Sequence, residues 1–73
     1  MRYVVTTAPH GAHIFYQTDN DENCTLVKSC FLCDLVDELR ALDDTVVYVY
    51  KNDISLGFAE LIQEAGLEIM FME

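Results

Sequence analysis

Positive charge is scarce in this chain, and the shortage is the first constraint on what it does. Arg2, Lys28, Arg40 and Lys51 stand against thirteen Asp and Glu residues, for a formal charge of -9 at neutral pH. Phosphate contacts require clustered Lys and Arg, so direct nucleic-acid binding is not expected. Long apolar runs are missing as well. No stretch approaches the roughly 18 residues of a membrane span, and residues 1–7 lack the apolar core of a secretory signal. A soluble, cytoplasmic protein with no membrane partner is therefore expected. Cysteine is limited to Cys24, Cys30 and Cys33, an odd number that argues against a disulfide framework and for reduced thiols. There is no glycine-rich phosphate loop and no G-x-S-x-G elbow, and Ser29 and Ser55 sit where helix caps belong. No enzyme and no cofactor are expected.

What the chain does have is apolar content. Hydrophobic residues make up 52% of its 73 positions, enough to fold a core despite the charge. The length suits a single domain over 1–73, with strands and helices sharing one core. Residues 3–8 are rich in Val and Thr and predict a strand, Pro9-His10-Gly11 a turn, and 12–17 a second strand. Residues 18–23 contain no apolar side chain and predict an exposed loop carrying Asp19, Asp21 and Glu22, after which 24–28 reads as a short third strand.

From a Ser29 cap the period changes. Leu32, Leu35, Val36, Leu39 and Leu42 recur at helical spacing, and Asp43-Asp44 ends the run. Residues 45–51 (TVVYVYK) are β-branched and aromatic, as in a buried central strand. Asp53 or Ser55 can cap a second helix with Ile54, Phe58, Leu61, Ile62 and Ala65 on its stripe, closed by Gly66, and 67–72 forms the last strand. The order ββ(β)αβαβ predicts an α/β (α+β) two-layer sandwich, with a right-handed crossover and two helices on one face of a small mixed sheet.

Two helices cover only one face. With Val47, Val49, Leu67, Ile69 and Phe71 turned to them, Val46, Tyr48, Tyr50, Met70 and Met72 line the other, and an aromatic and methionine patch suits an interface. Tyr48, Tyr50, Met70 and Met72 are therefore expected to form a homodimer interface, unless the hairpin, the acidic loop or the third strand folds across them.

The carboxylates are also patterned. Asp34, Asp37 and Glu38 on the first helix, and Glu60 and Glu64 on the second, fall three to four residues apart, which places neighbours about 5–6 Å apart at Cβ, near the phosphate interval of a nucleic-acid strand. On one layer the two rows would run side by side, with Asp43 and Asp44 extending the field, and such a surface attracts a protein with a basic groove. In size and charge the chain resembles the DNA-mimic inhibitors that phages and mobile elements direct against host restriction, CRISPR and transcription proteins. The resemblance implies an acidic protein-binding module whose partner is a basic nucleic-acid-binding protein. The bland counterpart is that the carboxylates only keep a small apolar domain soluble.

Cys30-Phe31-Leu32-Cys33 offers a different chemistry. A cysteine at a helix N-terminus has its thiolate favoured by the helix dipole, although Asp34 and Asp37 oppose it. Helical geometry would put Cys30 and Cys33 on the exposed side with Asp37. From Cys30 onward, the chain resembles the small sulfur-carrier proteins of the TusA type, which implies a homodimeric thiol or sulfur-carrier protein as the alternative. That family's Cys-Pro-x-Pro signature meets Phe31, Leu32 and Cys33 here, so no catalytic residue carries over. Finally, His10 and His13 together with Cys30 and Cys33 are ligand types that zinc accepts, but not in the tight Cys-x-x-Cys turns of zinc ribbons, and no metal site is assigned.

Overall fold

The computed structural model describes residues 2–17, 24–53 and 55–72. Arg2–Ala8 (β1) and Gly11–Gln17 (β2) pair antiparallel over their full length, from Arg2 opposite Gln17 to Ala8 opposite Gly11. The two-residue turn between them uses Pro9, whose ring presets the first φ, and His10, which takes the left-handed region at φ 72. Cys24–Phe31 (β3) adds antiparallel to β2, with Val27 bulged out where the register shifts between Ile14 and Phe15.

Leu32–Arg40 (α1), Val46–Tyr50 (β4), Leu56–Glu64 (α2) and Glu68–Met72 (β5) complete the chain. β4 pairs parallel with both β1 and β5, which gives one mixed sheet in the order β3-β2-β1-β4-β5 with β1 in the middle. The expected α+β architecture and element order are those observed.

Both helices lie on one face. Val5, Ala12, Ile14, Val47 and Val49 from the strands close a single buried cluster with Leu35 and Leu39 of α1 and Phe58 and Ile62 of α2. At about 25 cal/mol per Å² of apolar surface, each of these side chains larger than that of Ala12 contributes roughly 1.5–3 kcal/mol. α2 begins where Ser55 Oγ accepts a hydrogen bond from the Phe58 amide at 3.3 Å. It ends at Gly66, φ 86, with the Leu67 amide donating to the Ile62 carbonyl and the Gly66 amide to that of Gln63, a Schellman closure.

One local expectation is corrected. β3 runs on to Phe31, so Ser29 is a strand residue opposite His13 rather than a helix cap, and α1 starts after Phe31 with no side-chain cap. The ladder wins because Ser29, Cys30 and Phe31 each find a partner on β2, and because Gly11 has no side chain to hold the Cys30 carbonyl away. Of the two cap candidates for α2, Ser55 takes the role and Asp53 has another. Its two carboxylate oxygens accept from the Thr7 amide at 2.8 Å and the Thr7 hydroxyl at 2.6 Å, which ties the β4–α2 loop to β1. Phe71 pairs with the core residue Val49 and so lies on the helix side as expected, yet it is 58% exposed, since β5 is an edge strand. The loop over 18–23, with Asp19, Asp21 and Glu22, and the stripe residue Ile54 lie outside the described residues.

Candidate functional site

The helix layer carries the acidic residues that the sequence singled out, and the structure sorts them by what they touch. On α1, Leu35 and Leu39 point into the core, so Asp34 and Glu38, one turn apart, look toward the β3 edge while Asp37 stands outward. Glu38 is half-buried and meets the Lys28 ammonium at 3.6 Å. On α2, Phe58 and Ile62 point inward, leaving Glu60 and Glu64 exposed on the outer side. Arg40 reaches from the end of α1 and donates to the Glu64 carbonyl oxygen at 3.3 Å, which places a cation between the two helices. The rows are therefore not a plain pair of parallel stripes. Asp34 and Glu38 turn away from α2, and Arg40 interrupts the seam.

Asp43 and Asp44 have local work. Asp43 accepts from the Tyr3 hydroxyl at 2.7 Å, and Asp44 accepts from the Thr45 amide at 2.7 Å. The hydrogen bond to Asp43, together with burial and the negative charge of Asp43, pushes the Tyr3 phenol up to about 12. Among the described residues, Asp34, Asp37, Glu60 and Glu64 are exposed and form no side-chain hydrogen bond or ion pair.

The thiols separate. Cys30 belongs to β3, opposite Ala12, and packs against the core, whereas Cys33 is exposed in the first turn of α1. The expectation that both ride on the exposed side of one helix is thus corrected for Cys30. Burial pushes the Cys30 thiol up, and Glu38 and Asp34 push it further, so it holds less thiolate at neutral pH than a free cysteine does. His13 pairs with Ser29, the strand neighbour of Cys30, so His13 and Cys30 lie on opposite faces of the sheet. Among the described residues, no group of three or more His, Cys, Asp or Glu is placed to hold a metal ion.

The second candidate surface is the face of the sheet away from the helices. One ladder row crosses all five strands there: Leu26, Phe15, Val4, Tyr48 and Met70. Tyr50 and Met72 pair in the same alternation on β4 and β5. Leu26 is 51% exposed and Met70 45%, while Val4 at the centre is 2% exposed. The Arg2 guanidinium lies 4.7 Å from the Tyr48 ring centroid and its Nε donates to Gln17 Oε1 at 2.5 Å. Reading the sequence picked out Tyr48, Tyr50, Met70 and Met72 but missed Val4, Phe15 and Leu26. Their signal was the period-two alternation of β1, β2 and β3.

Comparison of the chain with protein-family models, with curated proteins and with solved structures finds no match. No helix among the described residues is long and apolar enough to cross a membrane.

Proposed function

We propose that this chain is an acidic protein-binding module that inhibits a basic nucleic-acid-binding protein by occupying its nucleic-acid groove. The observation that carries this reading is the division among the carboxylates. Glu38, Asp43, Asp44 and Asp53 each hold part of the fold, whereas Asp34, Asp37, Glu60 and Glu64 are exposed on the helix layer with no such task. Of the four basic residues, Lys28 is engaged by Glu38, Arg2 lies on the other face against Tyr48 and Lys51 follows β4 in the loop before α2, which leaves Arg40, between the two helices, as the cation set against these four carboxylates. With a net charge of -9, the outer helix surface sets up a negative field that attracts and orients a positively lined groove. The thiol alternative at Cys30 and Cys33 gains no support from the raised Cys30 thiol.

The test is capture of partners by tagged protein, comparing the native chain with a variant carrying Asp34→Lys, Asp37→Lys, Glu60→Lys and Glu64→Lys. These exposed positions leave the core intact, so circular dichroism should match native. Four lost attractions at about 0.5–1 kcal/mol each correspond to a fall in affinity of about 100-fold, with capture by the native chain weakening as salt rises. Equal capture by both proteins, or capture indifferent to salt, would sink the reading.

A further inference from the structure

We infer that a second copy of this chain covers the open face of the sheet, so that two sheets stack face to face and the two acidic helix layers point outward on opposite sides. The inference is independent of the partner proposed for the helix layer, and it rests on three observations.

The first is that nothing from the described strands folds over this face. The hairpin and β3, which might have covered it, instead join the sheet edge-on and widen it to five strands. The second is the chemistry of the row Leu26, Phe15, Val4, Tyr48 and Met70, which is apolar or aromatic from one edge to the other. β1 is the middle strand, so a two-fold axis along it would set Leu26 of one copy over Met70 of the other and Phe15 over Tyr48. The surface is thereby self-complementary, as an isologous contact requires.

The third is where the charge lies. Among the described residues, Glu68 is the only carboxylate on any strand, and the other described acidic residues sit on the helices and loops. Two copies that each carry -9 repel one another, and the contact that separates their acidic layers most is the one through the open faces. Sheets stacked about 10 Å apart, each backed by a helix layer about 10 Å thick, hold those layers roughly 30 Å apart, several times the Debye length of about 8 Å at physiological salt. Among the described residues, this face offers a basic partner one carboxylate and an arginine, which is no comparable attraction. Five strands about 4.8 Å apart and five to eight residues long give a footprint of about 24 by 20 Å. That is the small end of specific interfaces, so the dimer should dissociate in the micromolar range.

Sedimentation equilibrium in reducing buffer, across the micromolar range and at low and high salt, decides the point. The mass should rise to twice the 8.3 kDa of the chain. Association should strengthen with salt, because screening relieves the repulsion, whereas binding through the helix carboxylates weakens with salt; the two proposals therefore fail separately. Leu26→Glu and Met70→Glu, each at a half-exposed position, should raise the dissociation constant by about 100-fold or more while far-UV circular dichroism stays native. A monomer at every concentration and salt overturns the inference. So does a dimer that neither substitution weakens, which would place the contact on an edge strand instead.

Discussion

Tyr3 and Asp43 show how a single contact in this chain ties a fold element to its acidic surface. The phenol donates to the carboxylate at 2.7 Å, and the hydrogen bond, burial and the charge of Asp43 hold Tyr3 protonated up to about 12. Because the folded value lies above the ordinary one of 10.0, the stability contributed by this contact is intact below pH 10 and is lost as pH climbs toward 12. A spectrophotometric titration should show one phenol ionising near 12. That phenol should disappear in Tyr3→Phe and move downward in Asp43→Asn. Titration of Tyr3 at its ordinary value in the native protein would contradict the contact. Nothing local in the sequence announces this pair, since the partners are 40 residues apart. The same holds for Asp53 with Thr7 and for Arg40 with the Glu64 carbonyl, whereas the exposure of Asp34, Asp37, Glu60 and Glu64 could be read directly from helical spacing.

At the scale of elements, β3 is where local and long-range signals disagree. Ser29 followed by a helical period is a sound capping signal, yet the pairs Ser29–His13, Cys30–Ala12 and Phe31–Gly11 draw the chain into the sheet for three further residues. The hairpin, β4 and both helical stripes were legible because their periods are local, and the parallel β4–α2–β5 unit followed from element order. The end of β3 was not legible, because it depends on a neighbouring strand. Gly11 is the hinge of that outcome, since a Cβ there would run into the backbone of Cys30 and Phe31. Gly11→Ala should therefore separate β3 from β2 and destabilise the protein by about 2 kcal/mol or more, read as a lower urea midpoint. An unchanged midpoint would mean that the close approach of these strands is not required.

The molecule as a whole divides its chemistry between two layers. Helices present carboxylates outward, and strands present an almost uncharged apolar face, with one buried cluster between them. This division follows from the opening contrast of the sequence, an acidic chain with more than half its residues hydrophobic, because in a two-layer fold of this size charge and surplus apolar area must occupy different faces. The apolar face was legible in part, through Tyr48, Tyr50, Met70 and Met72. Its full width was not, because the sequence left open whether the hairpin and β3 would cover the face or extend it. A dimer through that face would carry two outward acidic layers and so two equivalent surfaces for the proposed basic partner.

The most direct test of the proposed function is competition between this protein and duplex DNA for a captured partner, followed by fluorescence of labelled DNA at fixed salt. The account predicts mutual exclusion, with DNA released in proportion to added protein and no release by the chain carrying the four helix substitutions. A stable ternary complex, in which the partner holds both DNA and this protein, would contradict it.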